Sequence, residues 1–230
     1  TPSAMPAPTP SAMPAPTPTA SPSTMPAHTA LLVIDVQYGF MPGGGLPVAD
    51  GDAVAPVINR LVPHFANVVI TQDWHPADHI SFAANHPGRQ PFDTLTLSYG
   101  PQVLWPTHCV QGTRDAAVHD DLRAPQAQLI IRKGFHPAVD SYSAFTEADR
   151  TTTTGLAAYL HARGISQLVL CGLATDYCVA WSALDARAAG FEVAVVEDAC
   201  RAIDLNGSLA KAWADMAAAG VQRIRSAEVL

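Results

Sequence analysis

Residues 168–180 read Leu168-Val169-Leu170-Cys171-Gly172-Leu173-Ala174-Thr175-Asp176-Tyr177-Cys178-Val179-Ala180. A short apolar run passes here directly into a helical pattern. The run 168–171 has no polar alternation, as a strand buried on both faces requires, and the helical pattern 177–189 ends at Gly190, a helix stop. The same unit repeats outward in both directions. Apolar runs rich in Val, Ile and Leu occur at 31–36, 68–71, 129–131, 193–196 and 221–224, with further helical patterns at 53–66, 155–163 and 208–219. Strands of this kind alternating with helices predict an α/β domain with a doubly wound, mostly parallel sheet and helices on both faces, a Rossmann-like three-layer arrangement. Residues 74–123 carry little regular pattern, and a loop that long inside a compact domain is usually functional.

Composition bounds the rest. Residues 1–28 are almost entirely Pro, Ala, Thr, Ser and Met, and the octapeptide Thr-Pro-Ser-Ala-Met-Pro-Ala-Pro occurs at 1–8 and again at 9–16. Such a segment buries too little apolar surface to offset its ordering entropy, so it reads as a disordered, polyproline-like tail. That leaves 29–230 as one folded domain, in a chain of 230 residues that is 48% hydrophobic. The net charge of −7 and the absence of a Lys/Arg cluster argue against a nucleic-acid partner. No apolar run reaches the roughly 18 residues of a membrane span. The four cysteines, Cys109, Cys171, Cys178 and Cys200, form no Cys-x-x-Cys pair and read as reduced thiols.

In an open parallel sheet the ligand sits outside the carboxyl ends of the strands, so chemistry-bearing residues should follow strands. Cys178 does so at the start of a helix. With Thr175 as N-cap it falls in the first turn, where the helix dipole and free N–H groups favour a thiolate and could bind an oxyanion. Its spacing alone fits equally a small residue packing the helix onto the sheet. Cys171 lies inside an apolar run, and Cys200 follows a strand end without a helix start. Asp35 ends the run 31–34 and Lys133 follows 129–131, so a base and an ammonium would meet Cys178 on one rim. Asp35 and Lys133 read alternatively as a structural ion pair. In Asp73-Trp74-His75 the first and third side chains share a face in extended chain, which suits a divalent metal of the Zn, Fe or Mn type. His79 and His108 offer further imidazoles, and each also reads as a solvated loop histidine.

Six blocks in order carry a resemblance over the chain from about Leu31 onward: Asp35-Val36-Gln37, Gln72-Asp73-Trp74-His75-Pro76, Trp105-Pro106-Thr107-His108-Cys109-Val110, Lys133-Gly134, Asp140-Ser141-Tyr142-Ser143-Ala144-Phe145 and Gly172-Leu173-Ala174-Thr175-Asp176-Tyr177-Cys178-Val179. Together they resemble the nicotinamidases/pyrazinamidases of the isochorismatase-like cysteine hydrolases. The resemblance implies hydrolysis of nicotinamide, and of pyrazinamide, in NAD salvage. It implies a triad of Asp35, Lys133 and Cys178, and an oxyanion hole from the N–H groups of Ala174 and Cys178 after a cis peptide. It implies metal ligands Asp73, His75 and His108 with His79 as fourth, and a pyridine pocket walled by Phe40, Trp105 and Tyr142. One divalent ion is expected, zinc ahead of iron or manganese. The partner is a small molecule, the assembly a monomer or homodimer, and the compartment the cytoplasm, with export as the alternative the tail keeps open. The family's usual Asp-Val-Gln-Asn-Asp-Phe start reads Asp35-Val36-Gln37-Tyr38-Gly39-Phe40 here, which bears on substrate breadth. The rivals are a related amidase for carbamoyl or maleamate-like substrates, and an inactive pyridine- or metal-binding module.

Overall fold

The computed structural model describes residues 25–230. The expected tail 1–28 therefore lies outside the described residues except for its last four, and these already belong to the folded unit: the Met25 N–H donates to the His64 carbonyl at 3.0 Å. Six strands form one parallel sheet: β1 (Thr29–Ile34), β2 (Asn67–Asp73), β5 (Leu129–Lys133), β6 (Gln167–Leu173), β7 (Glu192–Arg201) and β8 (Gln222–Ile224). Their spatial order is β5-β2-β1-β6-β7-β8. The chain winds outward from β1 through β2 to β5, then returns to β6 on the other side of β1 and winds out again to β8. The switch between the two directions lies between β1 and β6, where such sheets open a crevice at their carboxyl ends.

Alternate residues of the central strands feed two cores. Leu31, Val33, Val169 and Cys171 pack with Ile58 and Leu61 of α1 (Val54–Leu61) on one face. Leu32, Ile34, Leu168 and Leu170 pack on the other with Leu160 of α2 (Leu156–Ala162), Ala183 of α3 (Ala180–Ala188) and Met216 of α4 (Ser208–Ala218). Both faces are covered, which is why these strands tolerate unbroken apolar runs. Edge strand β5 has no such cover, and Ile130 is 54% exposed.

Several boundaries differ from the sequence pattern, each for a local reason. The helix expected over 53–66 ends as α at Leu61 and continues as a 3-10 turn, Val62–His64, because Pro63 has no N–H to carry the helical ladder onward. β2 and β5 run on to include Asp73 and Lys133, which are register partners. β7 extends well beyond 193–196, so Cys200 lies within the strand and pairs with Gly172 across a register irregularity. The helix expected at 177 begins as a π-turn, Thr175–Val179, whose N-cap is Ala174 rather than Thr175, without a side-chain cap. The segment 74–123 contains an antiparallel hairpin, β3 (Thr94–Leu97) with β4 (Gly100–Val103). Apart from Gln102 its residues are exposed or half-buried, so no buried apolar run announced it.

Candidate active site

Asp35, Lys133 and Cys178 come from three different strand ends and meet in the interior. Asp35 follows β1 in the left-handed region, φ 51°, a conformation that Asp tolerates better than most residues. Gly172, one residue inside the end of β6, has φ 119°, and a Cβ there would fall 2.0 Å from the Ile34 carbonyl oxygen. Only glycine lets β6 approach β1 this closely. The Leu173–Ala174 peptide bond is cis.

Lys133 is fully buried and is the hub of the site. Its ammonium donates to Cys178 Sγ at 3.3 Å and to the Ser141 carbonyl at 3.1 Å, pairs with Asp35 Oδ2 at 2.9 Å, and donates to Asp73 Oδ1. Burial opposes the charge, but Asp35, Asp73 and Cys178 hold the lysine pKa well above its ordinary value. Asp35 Oδ1 accepts the Thr71 hydroxyl at 2.6 Å, while Thr71 Oγ1 accepts the Asp35 N–H at 3.1 Å. Asp35 Oδ2 pairs with the Lys133 ammonium at 2.9 Å. Beyond that ion pair it is, among the described residues, the buried side-chain oxygen left without a donor. That vacancy suits the proton of the Cys178 thiol. Burial raises the Asp35 pKa against the lowering influence of Lys133, which makes it a stronger base than a surface aspartate.

The thiol itself departs from expectation. The helix start was expected to lower its pKa, yet burial, with Asp35 and Asp73 adding to it and Lys133 opposing, raises it well above the ordinary value. A thiol held in that form needs a base to take its proton, and the Asp35 carboxyl lies within 4.8 Å of the sulfur.

Asp73 turns its second oxygen toward two imidazoles. Oδ2 lies 3.3 Å from His75 Nε2 and 3.6 Å from His108 Nε2. His75 Nδ1 is 2.7 Å from the Gly134 carbonyl oxygen, and His108 Nδ1 is 2.7 Å from the Pro106 carbonyl oxygen. A carbonyl has no proton to give, so each Nδ1 carries a hydrogen, and in its neutral form each imidazole would offer the Nε2 lone pair to a cation. Gly134 makes this possible for His75: a Cβ there would meet the imidazole Cε1 at 2.4 Å. Two imidazole Nε2 atoms and a carboxylate oxygen converge, and these atoms lie within 4.8 Å of one another. This donor set fits a divalent cation, with carbonyl partners orienting both imidazoles. Asp73 thus joins the donor set to Lys133.

His79 does not point into that set. Its Nδ1 accepts from the Ser81 hydroxyl at 2.7 Å and its Nε2 donates to the Val139 carbonyl at 3.2 Å. It packs against His75 with ring centroids 4.2 Å apart and planes tilted by 41°, and groups instead with His75 and Asp140. Burial first, and then His75, push its pKa down to about 4.

Asp73, His75, His108 and Cys178 border one pocket, whose free space with its open mouth included is about 340 Å³, while Asp35, Lys133 and His79 lie behind its lining. Phe40, Trp105 and Tyr142 line it, and so do Ala174 and Cys178. Sequence reasoning did not single out Leu46, Asp140, Tyr177 or Ile203, which also line it. Tyr177 and Asp140 stand inside the quoted motifs and were within reach. Ile203 and Leu46 carry no local signal. Ile203 is fixed by Asp176, whose buried carboxylate accepts the N–H groups of Ile203 at 3.1 Å and Asp204 at 2.7 Å.

Comparison with known proteins agrees with this geometry. Residues 29–228 match the isochorismatase domain model. The chain is 63% identical to the nicotinamidase of Acinetobacter baylyi over 201 residues, 87% of this chain and 94% of that one. Among solved structures, the Acinetobacter baumanii nicotinamidase/pyrazinamidase superposes with a TM-score of 0.89 at 62% identity, covering 89% of this chain and 99% of the other. The Pyrococcus horikoshii pyrazinamidase, solved in complex with zinc, superposes with a TM-score of 0.70 at 36% identity, covering 86% and 99%. The chain belongs to the isochorismatase family, among its nicotinamidases.

Proposed function

We propose that this chain hydrolyses nicotinamide, and pyrazinamide with it, to the ring carboxylate and ammonia through a thioester on Cys178. The observation that carries the reading is the position of Lys133 Nζ, which touches Cys178 Sγ and pairs with both Asp35 and the Asp73 of the metal donor set. Nucleophile, base and donor set thereby become one connected unit under an aromatic-walled pocket.

Asp35 Oδ2 takes the thiol proton, and Lys133 holds the charge of the resulting pair. The Cys178 sulfur attacks the carboxamide carbon, and the N–H groups of Ala174 and Cys178 receive the oxyanion. As the C–N bond breaks, Asp35 returns its proton to the nitrogen and ammonia leaves. Asp35 then takes a proton from water, whose oxygen attacks the thioester carbon, and the C–S bond breaks to release the carboxylate. The returning proton restores the thiol. Asp73, His75 and His108 would hold one divalent ion, zinc ahead of iron or manganese, which offers Lewis-acid binding to the ring nitrogen. His79 stands beside His75, but Ser81 and the Val139 carbonyl engage its ring nitrogens, so it would not ligate that ion in this arrangement. The enzyme is assigned to NAD salvage in the cytoplasm, as a monomer or homodimer, on the family's role. Among the described residues no helix is long and apolar enough to cross a membrane.

The aromatic wall favours a ring amide over the carbamoyl or maleamate-like substrates of related amidases. Side-by-side measurement of kcat/KM for nicotinamide, pyrazinamide, an N-carbamoyl amino acid and maleamate tests this. The pyridine and pyrazine amides should lead by at least about a hundredfold, roughly 3 kcal/mol of discrimination. A preference for maleamate or the carbamoyl compound would discard the substrate while keeping the cysteine chemistry.

A further inference from the structure

The β3–β4 hairpin stands apart from the main sheet, and nearly all of its residues are exposed or only half-buried. Gln102 is the exception, at 2% exposure. Its Oε1 accepts the Tyr99 hydroxyl at 2.9 Å. Its Nε2 lies 2.9 Å from Asp140 Oδ2, 3.0 Å from the Tyr142 hydroxyl oxygen and 2.7 Å from the Val103 carbonyl oxygen. Three acceptors around one NH2 fix which end of the amide is nitrogen, and they share its two hydrogens.

The Tyr142 oxygen also accepts the Trp105 indole N–H at 3.0 Å. Trp105 and Tyr142 stand nearly perpendicular at 6.2 Å between centroids, and Tyr177 meets Trp105 at 90° and 4.9 Å. These three rings form one wall of the pocket. Asp140 continues the chain of contacts: its Oδ1 accepts the Ser141 N–H at 2.8 Å, and the Ser141 carbonyl accepts from Lys133. One buried amide thus pegs the exposed hairpin to the aromatic wall and to the segment that seats Lys133.

We propose that Gln102 is a positioning residue that sets the width of the ring slot by holding Tyr142, and through it Trp105, against Asp140. This rests on the aromatic amide substrate proposed above. Gln102 itself does not line the pocket, so its influence passes through the wall. The wall touches the ring, not the reacting carboxamide, and a ring contact is made equally in the ground state and the transition state. Loosening the wall should therefore raise KM while leaving kcat nearly intact.

The test is the Gln102→Leu variant of the whole chain, with Tyr99→Phe as a milder companion that frees the amide from its outer partner. For Gln102→Leu, KM for nicotinamide should rise about tenfold with kcat within about threefold, the scale of one buried hydrogen bond lost from binding. Tyr99→Phe should move KM in the same direction by less. The near-ultraviolet circular dichroism of the packed aromatic rings should change in both variants. An unchanged KM in a folded Gln102→Leu protein, or a kcat that falls as far as kcat/KM, would overturn the proposal. So would superimposable near-ultraviolet spectra of wild type and both variants. The spectra do not depend on turnover. If the wild type released no ammonia from nicotinamide, the substrate reading would fail while the spectra still decided the peg.

Discussion

Thr71→Val removes one hydroxyl from the base of the site and keeps nearly the same shape. In the wild type that hydroxyl donates to Asp35 Oδ1 at 2.6 Å, and its oxygen accepts the Asp35 N–H at 3.1 Å. A hydrogen bond to a charged acceptor contributes about 1.5–3 kcal/mol, and here it stabilises only the ionised carboxylate. At about 1.4 kcal/mol per unit, its loss should raise the Asp35 pKa by roughly 1–2 units. The sign follows from the roles. Burial already raises this pKa, Lys133 and Thr71 restrain it, and removing a restraint raises it further. Turnover needs the ionised form, so activity is lost as pH falls through this pKa. The acid limb of kcat/KM against pH should move upward by about 1–2 units in the variant, while the plateau above it stays within a few-fold. The orphaned Asp35 N–H should also cost about 1–3 kcal/mol of stability, so the profiles must be taken well below the variant's own Tm. Ammonia release measured across pH supplies the profile. An acid limb that coincides with the wild type, in a folded Thr71→Val protein, would refute Asp35 as the base.

Cys178→Ala should abolish ammonia release while leaving Tm and metal content near those of the wild type, because the donor set does not include the sulfur. His75→Ala should lose most of the bound metal, measured by elemental analysis, since it removes one of the two imidazoles of the donor set; unchanged metal would require a different ligand set. Iodoacetamide should modify Cys178 before Cys109, Cys171 or Cys200, because it alone of the four lines the pocket. Its rate should climb as pH rises, the thiol being held protonated at neutral pH.

What the sequence revealed was whatever contradicted its surroundings. Asp35, Asp73 and Lys133 are charged residues at the ends of apolar runs, and a charge there has no reason to exist unless it is paired. Gly190 marks a helix stop by residue type alone. What it concealed depends on approach from elsewhere in the chain. Thr71 reads as one more β-branched strand residue until β1 is seen beside it. Ser141 matters through a backbone carbonyl, which no side chain announces. The π-turn and the cap at Ala174 escaped because Thr175 is the better capping residue by type. The pKa of Cys178 was misjudged because the helix start was visible in the sequence, whereas the burial that overrides it was not. Gln102 looked like a polar residue in a loop; only the fold makes it an interior peg.

The most direct test of the account is ammonia release from nicotinamide by the purified protein, before chelation, after chelation, and after addition of zinc, iron(II) or manganese(II). The account predicts release that falls on chelation and returns with at least one of these ions. Release that is indifferent to complete metal removal would contradict the role assigned to Asp73, His75 and His108. No release under any condition from a folded, metal-loaded protein would contradict nicotinamide as the substrate.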